Sequence, residues 1–173
     1  VYRRLTWASI KNALSATIMV TAMVFMIVLS ATAFSQLLAY TGVARELGNL
    51  ATGLPVAPIV IVIIMQVILI VMGMFIDDIS MMMITIPIFF PVIRALGFDP
   101  MWFGILMLVN LEMAIISPPF GLLLFTLQGV VPDTSLADIY RAAIPIFFLI
   151  LTLLIIVLIF PSVVTWLPIL MKQ

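Results

Sequence analysis

The stretch Asn110-Leu-Glu-Met-Ala-Ile-Ile-Ser-Pro-Pro-Phe-Gly121 decides how the chain is read. It places a carboxamide, a carboxylate, a hydroxyl, two adjacent prolines and a glycine inside a very apolar run. A helix entering from Met101 cannot pass normally through Pro118-Pro119. Each proline lacks an N–H and clashes with the preceding turn, and the residue before each is pushed out of the helical region. The carbonyls of Ile115, Ile116 and Ser117 are therefore expected to lose their helical partners. In hydrocarbon, such groups must find another partner or line a cavity. A broken helix with freed carbonyls and half-helix ends is the arrangement that binds cations and anionic solutes in secondary transporters.

The surroundings agree with a membrane setting. Hydrophobic residues make up 66% of the 173, charged residues 8%, and the mean hydropathy is +1.43, against about 25% charged in soluble domains. Residues 12–44, 47–76 and 142–171 carry no charge, and each run exceeds the ~20 residues of a spanning helix. The runs are continuous rather than alternating, which excludes a β-barrel pattern. The expected fold is therefore all-α and polytopic. Cysteine and histidine are absent, which removes disulfides, thiolate metal sites and imidazole chemistry. With zero net charge and no basic patch, nucleic acid is not a partner; membrane lipid is. The opening at Val1, Val-Tyr-Arg-Arg-Leu-Thr-Trp, reads as the middle of a longer chain.

Working outward gives four stretches. Residues 1–54 comprise a basic aromatic interface segment through Asn12, a first span to about Leu38, and an interfacial arm helix between Thr41 and Gly53. The small and hydroxyl residues of that span, Ser15 to Ala33, suit close packing against neighbouring helices. Residues 55–97 form a helical hairpin around Asp77 and Asp78, its second arm interrupted by Pro87 and Pro91. The hairpin is expected to be re-entrant, because the turn resumes hydrophobic character within a residue; two full spans are the alternative. Residues 98–128 are the broken transmembrane helix, with Trp102 as an interface anchor, and residues 129–173 a connection and a last span to Trp166. With Arg3, Arg4, Lys11 and Arg141 inside and Arg45, Arg94 and Lys172 outside, the positive-inside bias is four against three.

Asp77, Asp78 and Glu112 are the carboxylates expected at membrane depth. Unpaired there, each costs about 2.5–3.5 kcal/mol on insertion scales. They are either protonated or compensated by a cation, and a hard cation such as Na⁺ takes carboxylate, carbonyl and hydroxyl oxygens, including those of Ser80 and Ser117. The plainer alternatives are that Asp78 caps the following helix and Glu112 pairs within the bundle. An aspartyl protease needs two carboxylates facing each other from different helices, and adjacent Asp77 and Asp78 do not face each other. The chain is not expected to be an enzyme, and no cofactor is called for beyond Na⁺ as coupling ion.

Gly73-Met-Phe-Ile-Asp77, Ile84-Thr-Ile-Pro87-Ile-Phe-Phe-Pro91, Leu96-Gly-Phe-Asp99-Pro100, Phe103-Gly104, Val109-Asn110-Leu-Glu112 and Ser117-Pro-Pro-Phe-Gly121 occur in this order. Together they resemble the C-terminal portion of the large membrane (permease) subunit of tripartite ATP-independent periplasmic (TRAP) transporters. The resemblance implies one inverted-repeat unit. It implies Na⁺-coupled symport of small organic acids, such as dicarboxylates, across a bacterial inner membrane, by an elevator-type movement. A periplasmic substrate-binding protein would deliver the solute and a small TRAP membrane subunit would complete the complex. Asp77 matches the family's hairpin aspartate, and Pro118, Pro119 and Gly121 its Pro-Pro-x-Gly break. Ser117 stands where threonine is usual, and Phe120 replaces a smaller residue. The candidate Na⁺ and substrate site is then Gly73, Asp77, Ser80, Asn110, Glu112, Ser117, Pro118, Pro119 and Gly121, with Asp77 and Ser117 as Na⁺ ligands. A carrier with a similar hairpin and broken helix, coupled to Na⁺ or H⁺ and working without a binding protein, is the alternative.

Overall fold

The computed structural model describes residues 6–117, 121–131 and 134–170, and every regular element among them is an α-helix. Among the described residues, three helices are long and apolar enough to cross a membrane: α1 (Trp7–Thr41), α4 (Asp78–Ala95) and α7 (Leu136–Ile159). The chain is an all-α polytopic membrane protein.

Helix α1 starts where Thr6 accepts the Ser9 N–H at 3.2 Å, a hydroxyl N-cap. It runs 35 residues without a break, about 52 Å against roughly 30 Å of hydrocarbon. From Trp7 on, the expected interface segment is thus the opening of this helix. Only a stripe of α1 is partly covered: Val24, Ile27, Ala31, Phe34 and Leu38. Its alternating spacing of three and four is the seam of two helices crossing at a shallow angle. The other small residues expected to pack, Ser15 to Ala22, are exposed in this chain. Gly42, left-handed at φ 76°, turns the chain into α2 (Val43–Gly53). This arm rests on α4 so closely that a Cβ on Gly48 would stand 3.1 Å from the Ala95 methyl.

The packed centre is built from α3 (Pro58–Gly73), α4 and α5 (Pro100–Ala114). Pro58 opens α3 at a position where no N–H is needed. Pro87 and Pro91 were expected to interrupt the second hairpin arm, yet α4 passes through both. A proline removes one hydrogen bond and bends a helix, and here packing holds it continuous. Phe89 and Phe90 meet the edge of Phe103 at 6.2 and 5.7 Å, and Val92 and Ile93 are buried.

Helix α5 is closed in from several directions. Trp102, expected at the lipid interface, is buried, and its indole N–H donates to Val157 O at 2.8 Å. The reason lies in Pro161, four residues after Val157, which has no N–H to offer that carbonyl. The same proline ends the last span early. α7 stops at Ile159 and α8 (Ser162–Leu170) follows, rather than one helix reaching Trp166.

Candidate functional site

Gly73 and Asp77 sit on the turn between α3 and α4, and the end of α5 comes directly against it. A Cβ added to Gly73 would overlap the Ala114 methyl and stand 3.1 Å from Met81 Cε. Glycine at the tip is therefore what lets hairpin and broken helix meet backbone to backbone. Two arms of 16 and 18 residues, and 15 residues of α5, measure about 22–27 Å.

Asp77 is half-buried and N-caps α4, its Oδ2 accepting the Ser80 N–H at 3.0 Å. The capping role considered for Asp78 thus belongs to its neighbour. Asp78 opens the helix, within electrostatic reach of Glu112 and Asp77. Its Oδ1 is buried with no partner among the described residues. Glu112 itself is exposed in this chain rather than paired within the bundle. Ser80 also borders an apolar cavity of about 360 Å³ between α1 and α4, walled by Met26, Ile27 and Phe34 among others.

On the two sides of the break, α5 ends at Ala114 and the next helix begins at Leu122. Ser117 is buried, and its N–H donates to Ala114 O at 3.0 Å. The expectation of freed carbonyls meets a correction here. Ser117 O accepts the Gly121 N–H at 2.9 Å, and Ile115 O accepts the Leu123 N–H at 3.3 Å across the interruption. Of the three carbonyls expected to be free, those of Ile115 and Ser117 therefore have partners, as hydrocarbon makes an orphan carbonyl costly. The bond to Ile115 O also occupies one N–H of the first turn of α6 (Leu122–Val130). Pro118 and Pro119 of the candidate set, with Phe120, lie outside the described residues.

Asn110 is fully buried and points elsewhere than the tip. Its Nδ2 donates to the backbone O of Gln66 at 2.9 Å and to Gln66 Oε1 at 2.8 Å. Gln66 was missed in the sequence. The available signal was its being the single polar side chain in the 16 residues of α3. The arrangement seats Gly73, four residues before the Asp77 cap, on Ala114, three residues before Ser117; it commits Asn110 to Gln66 and leaves Glu112 exposed. Among the described residues no group of three or more acidic, histidine or cysteine side chains could hold a metal ion. A cation here would depend on carbonyl and hydroxyl oxygens beside at most two carboxylates.

Comparison with known proteins adds a second line. A family model described as the tripartite ATP-independent periplasmic transporter, DctM component, matches residues 1–163. A C4-dicarboxylate TRAP transporter large permease protein of Pseudomonas aeruginosa is 32% identical over 97% of this chain and 39% of its own length. A sialic acid TRAP transporter permease of Haemophilus influenzae is 24% identical over 97% of the chain and 27% of its own length. A C4-dicarboxylate large permease of Vibrio cholerae is 41% identical over 64% of the chain and 24% of its own length. The chain thus spans 39% or less of the length of these relatives. All three are named as transporter permeases, not enzymes.

Proposed function

The chain belongs to the DctM-component family of tripartite ATP-independent periplasmic transporters, and on that premise we propose that it supplies one hairpin-and-broken-helix unit of a Na⁺-coupled carrier for small organic acids. The relatives named for C4-dicarboxylates and sialic acid suggest carboxylate substrates. In this reading a periplasmic binding protein delivers the solute, a small membrane subunit completes the assembly, and the carrier sits in the bacterial inner membrane. The observation that supports it best is the seating of the Gly73 tip on Ala114, which brings the Asp77 turn to the interruption of the spanning helix.

Chemically, the Asp77 carboxylate caps α4 and supplies negative charge for a cation. The Ser117 hydroxyl and nearby carbonyls are of the hard type Na⁺ takes. The first turn of α6 offers partial positive charge to a substrate carboxylate. Hairpin and broken helix, packed as one unit, slide together against a scaffold.

The test is uptake by the complete transporter in proteoliposomes, with and without Na⁺ and with and without the binding protein. Asp77→Asn is expected to abolish Na⁺-dependent uptake while membrane abundance is unchanged. Unaltered Na⁺ dependence removes Asp77 from the site, and full uptake without the binding protein favours a stand-alone carrier.

A further inference from the structure

The geometry points to Gln66 as a positioning residue: its carboxamide clasp with Asn110 sets the register of α3 on α5 and so decides where the hairpin tip lands on the break. What the register serves rests on the carrier reading above; the clasp itself does not.

The contacts between α3 and α5 are otherwise apolar, made by side chains such as Val62, Met65, Leu69 and Met107. Contacts of this kind are non-directional, and methionine adapts its shape. In lipid they supply no preference for one register over the next, because the tails are as apolar as the side chains. The amide of Asn110 is directional. It holds Gln66 by its backbone carbonyl and by its side-chain carbonyl together, which fixes both the height and the rotation of α3.

The tip contact makes that register matter. Asn110 lies one helical turn before Ala114, and Gln66 two turns before Gly73. Gly73 and Ala114 leave no room for an added methyl, so a slip of one residue, about 1.5 Å, either collides there or parts the tip from the break. The clasp also keeps two buried polar atoms without partners among the described residues, Gln66 Nε2 and Asn110 Oδ1. Packing alone gives no reason to tolerate them, since an apolar pair of similar size would fill the space with none. Directional registry does give one, as buried amides do in helical assemblies.

The experiment compares the complete transporter with Gln66→Leu, Asn110→Leu, Gln66→Asn and the exchanged double variant Gln66→Asn/Asn110→Gln. Two readouts are taken: hydrogen–deuterium exchange of 73–77 and 115–117, and the Na⁺ concentration for half-maximal uptake. We expect Gln66→Leu to speed exchange in both segments, with α7 unchanged, and to raise the half-saturating Na⁺ about tenfold. The exchanged pair is expected to recover both values while Gln66→Asn alone does not. Unchanged exchange and unchanged half-saturation in Gln66→Leu overturn the proposal. So does a variant that only lowers abundance or melting temperature, or an exchanged pair no better than the single change. If wild-type uptake ignores Na⁺, the carrier reading fails, and the exchange measurement still decides the clasp.

Discussion

In α5, eight of 15 residues are buried; in α1, none of 35 is. Both helices are apolar on every side, so hydropathy does not separate them. Their polar atoms do. The hydroxyls of α1 turn back on their own helix: Thr17 to Ala13 O, Ser30 to Met26 O, Thr32 to Val28 O and Thr41 to Leu37 O. The N–H donors of α5 side chains reach across, the Trp102 indole to Val157 O and the Asn110 amide to Gln66. Within a bilayer, apolar surface gains little by leaving lipid for protein, and close backbone approach and cross-helix hydrogen bonds choose the neighbours. Helix α5 holds hairpin and break together, while α1 presents most of its surface outward.

The largest expected effect follows from the closest approach. Gly73→Val forces a branched side chain into Ala114 and should cost about 3 kcal/mol, with Na⁺-dependent uptake lost. Its counterpart on the exposed face, Ala22→Val, should fall within about 0.5 kcal/mol. Thermal unfolding in detergent and uptake by the complete transporter measure the contrast. A Gly73→Val protein that transports normally would show that the tip is not seated where the structure puts it. Next is the indole. Trp102→Phe keeps the ring but leaves Val157 O without a donor, since Pro161 supplies none, at a cost of about 1–3 kcal/mol. Trp7→Phe at the start of α1 should change melting by less than the measurement error.

The membrane class, the helix order through the start of α7 and the break itself were legible, because hydropathy and proline chemistry act locally. Arm helix α2 was legible too, from apolar positions three and four apart. What escaped depends on partners distant in sequence. Gln66 gains its meaning from Asn110, 44 residues on. Trp102 looks like an interface anchor until Pro161 strands a carbonyl that only its indole can reach. Pro87 and Pro91 look like helix breakers, yet α4 runs through both. At the site, the sequence marked the carbonyls of Ile115 and Ser117 but not the Leu123 and Gly121 N–H groups that they accept, because such pairing is decided by the path of the chain after the break.

Asp77 sharpens the comparison at a smaller scale, since capping and charge can be varied apart. Asparagine caps a helix about as well as aspartate, whereas alanine loses about 1 kcal/mol. Asp77→Asn should therefore melt with the parent and Asp77→Ala about 1 kcal/mol below it, while both lose Na⁺-dependent uptake. If Asp77→Asn transports with normal Na⁺ dependence and only Asp77→Ala fails, the residue is a cap and nothing more.

The smallest effect is expected in α1, and it tests the reason given for the helix's exposure. Ser30 donates only to Met26 O, one turn back, at 2.8 Å. That carbonyl keeps its own helical N–H when the hydroxyl is removed, so Ser30→Ala strands nothing and should shift stability by less than about 0.5 kcal/mol. The same argument holds for Thr32→Val, whose hydroxyl returns to Val28 O. A loss of 1–2 kcal/mol at either position, of the size expected for a broken bond between helices, would mean that these hydroxyls meet a partner in the assembled transporter. α1 would then differ from α5 only in which neighbour it binds.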